Sequence, residues 1–128
     1  MNKGYNPSAI AAPLGKYTHA IEVADGARWL NISGQVGINP DGQVMDGFEA
    51  QCRVAYANLK AILAEAGMGF EDVVKTTVFL TDPATISAYR AIRDEFLGDH
   101  RPASTLLIVA GLASPDFLVE VEMTAAKA

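Results

Sequence analysis

Only one cysteine, Cys52, stands in the 128 residues, so a framework of internal disulfides is excluded. Long apolar runs are missing too. The longest, around Leu106 to Ala113, falls well short of the roughly 20 residues a membrane helix needs, so no membrane partner is expected. Basic charge is in deficit: 10 Lys and Arg face 15 Asp and Glu, for a net charge of −5. A chain that grips phosphates carries a basic stripe, and without one no nucleic-acid partner is expected. No cluster of His, Cys or carboxylate has metal-ligand spacing, and no metal is expected. The start, Met1-Asn2-Lys3-Gly4-Tyr5-Asn6-Pro7, has no apolar stretch behind a basic end, so no signal peptide is read. A lone thiol suits a reducing cytoplasm. Repeats, low-complexity tracts and linkers are also absent. What is present, 50% hydrophobic and 20% charged residues, is the mix of an ordinary globular protein. Residues 1–128 are read as one domain.

Ile21, Val23, Leu30 and Ile32 alternate on both sides of Asp25-Gly26, a dipeptide that favours a type I′ turn, so a hairpin is predicted from about Lys16 to Ser33. Asn39-Pro40-Asp41-Gly42 reads as a turn into a short strand at Gln43–Val44. Asp46 with Glu49 three residues on fits a variant capping box. Phe48, Cys52, Ala55, Tyr56, Leu59, Ile62, Leu63 and Ala66 then recur at helical spacing up to Gly67. Val73–Thr81 is rich in β-branched residues and reads as a strand. Asp82-Pro83 signals a helix start, and Ile86, Tyr89, Arg93 and Phe96 carry that helix to Gly98. Ser104–Ala110 is nearly all apolar, as in a strand buried on both faces. In the last strand Phe117, Val119, Val121 and Met123 point one way, and Leu118, Glu120, Glu122 and Thr124 the other.

The order β-β-β-α-β-α-β-β implies an α+β fold with two helices on one face of a mixed sheet. Two helices cover one face only. The other face needs a cover, and a second copy of the chain is the economical one.

A set of short motifs carries a family resemblance. Ala12-Pro13-Leu14-Gly15-Lys16-Tyr17, Ile32-Ser33-Gly34-Gln35, Asn58-Leu59-Lys60-Ala61-Ile62-Leu63, Ala66-Gly67, Asp72 to Leu80, Arg101-Pro102-Ala103 and Val119-Glu120-Val121-Glu122 occur in this order. In this the chain resembles the RidA (YjgF/YER057c/UK114) family along nearly its whole length. The resemblance implies a chorismate-mutase-like fold and a homotrimer with three clefts between subunits. In active relatives each cleft takes a small 2-imino or 2-enamino acid: the enamine becomes an imine, water adds to the carbon and ammonia leaves, with no cofactor. The family's tyrosine maps on Tyr17, its Ser-Gly on Ser33 and Gly34, and its water-positioning glutamate on Glu120.

Three positions depart. Where deaminating members carry an arginine that clamps the substrate carboxylate, this chain has Ser104. A pocket asparagine on the second helix becomes Arg90, and a frequent cysteine becomes Leu106. In this the chain resembles the branches that lack the arginine. A guanidinium binds a carboxylate at two points, whereas a serine hydroxyl offers one neutral hydrogen bond. Arg90 either restores the clamp from the second helix or is a surface arginine paired with Asp94 at i,i+4.

Glu120 and Glu122 share a strand face about 7 Å apart and are candidates for general acid/base work, Glu120 above Glu122. Tyr17 reads as a cleft wall, and Ser33-Gly34 as a hydroxyl beside a bare backbone N–H or as a bulge. His19, His100 and Arg101 read as surface or loop residues, Cys52 as core, and Trp29, Tyr56 and Tyr89 as core or interface. Two readings stay open: hydrolysis of an atypical small enamine, imine or oxo-acid-related metabolite, and a non-catalytic trimer that binds small metabolites or a partner. Ribonuclease chemistry, with which some relatives are credited, conflicts with the acidic charge.

Overall fold

The computed structural model describes all 128 residues. Its elements are β1 (Lys3–Tyr5), β2 (Ala20–Glu22), β3 (Arg28–Val36), α1 (Phe48–Glu65), β4 (Val73–Leu80), α2 (Ile86–Leu97), β5 (Ala103–Ile108) and β6 (Val119–Lys127). A four-stranded sheet runs β3-β6-β4-β5, parallel only between β4 and β5, and β1 and β2 form a separate ribbon. The α+β class, the two helices and the mixed sheet are as the sequence implies.

The predicted hairpin is not there. Ile21 of β2 pairs with Gly4 of β1, while Leu30 and Ile32 of β3 pair with Ala125 and Met123 of β6. A type I′ turn needs positive φ at both central residues, and only Gly26 (φ 73°) adopts it. The tight turn that forms, with Ala27 N–H donating to Ala24 O, lets the chain leave one sheet and enter another. The strand at Gln43–Val44 shrinks to a single bridge, Ile38 to Val44. The α1 cap also differs: Gly47, φ 86°, occupies the position and no side chain caps the helix.

Helix α1 buries Gln51, Cys52, Ala55, Tyr56, Leu59 and Leu63 and ends at Gly67, φ 71°, as its spacing requires. Its core side meets Val119, Val121, Met123 and Ala125 of β6 and Val78 and Leu80 of β4. Between the helices Tyr56 stacks on Phe96, ring centroids 5.3 Å apart, and shares a 2.6 Å hydrogen bond with the Tyr89 hydroxyl. Burial pushes both phenols well above the usual tyrosine range, so the pair stays uncharged. Burial likewise pushes the Cys52 thiol up to about 12, against a smaller pull from Arg53, which leaves it an inert core residue.

Asp82 accepts the Ala84 N–H at 2.9 Å, with Pro83 at the first turn position, and so opens the short 3₁₀ turn that feeds α2. Asp82→Ala should cost about 1 kcal/mol and lower the melting temperature by roughly 3–6 °C. A calorimetric scan that shows no shift refutes that role. Strand β5 proves to be the sheet edge: Leu107 and Ile108 are each 44% exposed in the single chain, so the expected double burial is not met within one copy.

Candidate functional site

Strand parity decides which candidates meet. Val119 and Val121 are fully buried under α1, so Glu120 between them faces the uncovered side of the sheet. There it sits in register with Val36 of β3 and Phe79 of β4. Between Ile32 and Gln35 the β3–β6 register slips, so that Ser33 and Gly34 together oppose Glu122. That is a β-bulge, which bends the strand and leaves one residue unpaired. A Cβ on Gly34 would stand 1.9 Å from Glu120 Oε2 and 2.7 Å from its Cδ. The carboxylate therefore lies across the bulge in space that only glycine leaves free. The bulge, one of the two sequence readings of Ser33-Gly34, is present, and it is where Glu120 crosses the bare backbone.

Gln51 ties together the segments that follow β3 and precede β6. Its Nε2 donates to Met45 O (3.0 Å) and Asp116 O (2.9 Å), and its Oε1 accepts the Leu118 N–H (2.9 Å). A Cβ on Gly37 would come within 2.4 Å of the Gln51 Cα, so β3 runs hard against α1. The signal was present in the sequence: an amide stands at i−4 from Ala55 on an otherwise apolar helix face.

The second group lies at the β5 edge. Thr76 of β4 is in register with Ser104 on β5 and with Met123 on β6. Met123 belongs to the core, so Ser104 faces the helix side, opposite to Glu120. The Tyr17 segment docks on the start of β5: Thr18 N–H donates to Pro102 O at 3.1 Å, and its hydroxyl bonds Arg101 O. The Tyr17 hydroxyl accepts the Leu14 N–H at 3.1 Å. Lys16 pairs with Asp94 on α2 at 3.3 Å, and Arg93 holds the same carboxylate at 3.0 Å. Partial burial pushes the Asp94 carboxyl up, but the hydrogen bonds from Arg93 and Lys16 outweigh it and hold it below the usual range. The tie is thus intact above that range and is lost only as the pH falls through the lowered value.

Arg90 is exposed on α2, and it is not paired with Asp94, whose partners are Lys16 and Arg93. Glu122 is exposed beside a cavity of about 240 Å³ lined by Asn31, Lys75, Thr77 and Thr124. Two histidines depart from expectation. His100 is half-buried with Nε2 2.7 Å from Val73 O, and His19 packs edge-on to Tyr17 with its Nδ1 buried and unbonded. Trp29 is 59% exposed rather than core.

None of the six candidates, Tyr17, Ser33, Gly34, Arg90, Ser104 and Glu120, lines a cavity of the single chain. The largest, about 620 Å³, lies between the chain termini and residues 99–101. A site on an open sheet face and a site at a sheet edge are walled only when something else meets them. No three His, Cys, Asp or Glu side chains converge as metal ligands, and no helix is long and apolar enough to cross a membrane.

This architecture has close counterparts. A Rid protein of Yersinia pestis, described as of unknown function, superposes with a TM-score of 0.86 at 32% identity, covering 98% of both chains. RidA of an Antarctic Psychrobacter gives 0.73 at 31%, covering 96% of this chain and 98% of that one. In sequence, a RutC family protein of Pyrococcus abyssi is 35% identical over 117 residues, 90% of this chain and 89% of the relative. The 2-iminobutanoate/2-iminopropanoate deaminase of Escherichia coli K12 is 31% identical over 131 residues, 99% of each. The family pattern described as endoribonuclease L-PSP matches residues 7–127, and with these relatives it shows that the chain belongs to the YjgF/RidA (endoribonuclease L-PSP) family.

Proposed function

We propose that the protein hydrolyses a small imine, or the enamine that tautomerises to it, to the oxo compound and ammonia, in clefts between the subunits of a homotrimer. The observation that carries this reading is the Glu120 carboxylate laid across the Gly34 bulge on the uncovered sheet face, outside all three ion pairs of the chain. There it takes a proton from water as the water oxygen bonds to the imine carbon, and returns it to nitrogen. The remaining hydroxyl proton then passes to the nitrogen by way of the same carboxylate, the C=O bond forms as the C–N bond breaks, and ammonia leaves with the electron pair of that bond. The relative that acts on 2-iminobutanoate supports the reaction class. Ser104 in place of a guanidinium favours substrates in which a carboxylate is not the main handle.

The same geometry supports the assembly. Glu120 and Ser104 occupy opposite faces of one sheet, so a cleft that holds both draws them from two copies. The protein should run as a trimer at micromolar concentration, measured by light scattering on a sizing column. A monomer mass would remove the cleft and the reading with it.

A second reading has its own support. Arg90 is exposed and does not meet Glu120 within the chain, so no clamp for an anion is assembled there, which favours a binding trimer without turnover. The two are separated by ammonia release from enzymatically generated imines, with and without a carboxylate, beside an arginine-bearing relative as control. Release above background from at least one imine supports hydrolysis, and none from any supports binding. Labelled single-stranded RNA added to the same metal-free preparation should stay intact, and cleavage lost in Glu120→Ala would overturn the charge argument.

A further inference from the structure

Two fully buried side-chain polar atoms lack a hydrogen bond, His19 Nδ1 and Thr76 Oγ1, and both fall beside the start of β5. Thr76 is only 2% exposed. A buried hydroxyl without a partner is costly, and a valine of the same shape would avoid the cost, so its retention calls for a use. In the sheet its same-face neighbours in register are Met123, which offers no strong acceptor, and Ser104. Adjacent strands lie about 4.8 Å apart, close enough for paired Ser and Thr hydroxyls to bond after a χ1 rotation. Ser104 differs from Thr76 in being partly exposed at the sheet edge, beside the segment that carries Tyr17 and His19.

We infer that Thr76 is a positioning residue for Ser104, and that the pair forms a subsite for an uncharged ligand oxygen or nitrogen. The inference rests on the reading that the β5 edge belongs to the ligand cleft. Thr76 donates to the Ser104 oxygen, and Ser104, its lone pair so occupied, turns its own proton outwards to a carbonyl oxygen or imine nitrogen. One hydroxyl fixes the direction of the other. Neither carries charge, so the subsite selects a neutral head group over a carboxylate. His19 Nδ1 is the remaining unbonded group on this side of the segment. Arg93 on α2 is committed to Asp94.

Binding, not turnover, is the readout, so the inference does not depend on hydrolysis. The probes are 2-oxobutanoate and its uncharged isostere 2-oxobutanamide, titrated into the assembled protein and followed by NMR shifts. Wild type should bind the amide at least as tightly as the acid. Thr76→Val should weaken amide binding about 5- to 10-fold, the net worth of one oriented hydrogen bond. The melting temperature should hold, since valine keeps the shape of threonine and the partly exposed Ser104 hydroxyl can bond water instead. Thr76→Ser should restore affinity to within about twofold of wild type. Added to Ser104→Ala, Thr76→Val should change nothing further, because the two act as one unit.

An unchanged dissociation constant in Thr76→Val would make Thr76 structural only. Preference for the acid, or no saturable binding of either probe, would also overturn the subsite. Ammonia release measured alongside keeps the two proposals apart. Turnover with a silent Thr76→Val sinks this inference alone, and amide binding sensitive to Thr76 without turnover sinks hydrolysis alone.

Discussion

Glu120→Gln should lower ammonia release by about 10²- to 10⁴-fold, the range for loss of a general acid/base group. Glutamine keeps the shape of the side chain and its place over Gly34, so the melting curve should be unchanged. Gly34→Ala tests the same carboxylate without touching it. Gly34 is not in the positive-φ region, so alanine meets no backbone strain there. Its methyl group would instead occupy the space of the Glu120 Oε2, Cδ and Cγ, 1.9 to 2.8 Å away. Glu120 is a flexible side chain on an open face, so the collision is relieved by its displacement and not by unfolding. Displacement of a reacting group by about 1 Å costs on the order of 10²-fold. Rates measured on the imine that wild type turns over best, with thermal melts for both variants, check this. Wild-type rates in Glu120→Gln would remove the glutamate from the mechanism. A slow Glu120→Gln beside a fast Gly34→Ala would mean that the carboxylate works from another position than the one over the bulge.

Much of the scaffold was legible because its signals are local and repeated. The α1 stripe from Phe48 to Ala66 and the alternation from Val119 to Thr124 each state a period several times, and both elements form on the faces those periods assign. Asp82-Pro83 is a chemical start signal and acts as one. The Asp25-Gly26 hairpin failed because a turn dipeptide says that the chain reverses, not which strands then pair. Lys3–Tyr5, with no alternation to betray it, wins β2 through pairing 15 residues away, Tyr5 to Ala20. The site divides in the same way. Glu120 and Ser104 were named from the resemblance, but their opposite faces follow from the order β3-β6-β4-β5, which is non-local. The contact of Glu120 with Gly34 depends on a register slip of one residue, which no local pattern announces. One of the two readings of Arg90 set it beside Asp94 by i,i+4 spacing, yet that carboxylate is taken by Arg93 and by Lys16 from 78 positions earlier in the chain.

Ser104→Arg should raise ammonia release from 2-iminobutanoate about 10- to 150-fold. The estimate converts a charged hydrogen bond of roughly 1.5–3 kcal/mol, realised in the transition state, into a rate. Ser104 is partly exposed at the sheet edge, so a longer side chain can grow outwards along the Tyr17 segment without entering the core. The guanidinium would then meet the carboxylate at two points, where serine offers one neutral hydroxyl. Arg90→Asn alone should change the rate by less than about twofold, because an exposed arginine without an ion-pair partner in its own chain holds nothing in place. If Arg90 instead reaches the cleft of a neighbouring subunit, two guanidiniums compete for one anion in Ser104→Arg, and the double variant exceeds the single one. Initial rates for wild type, both single variants and the double variant decide between these outcomes. A gain confined to the double variant assigns Arg90 to the cleft across the subunit boundary. No gain in either, with wild type already as fast as an arginine-bearing relative, shows that the cleft binds the carboxylate by other means, and the absence of the arginine then has no bearing on activity.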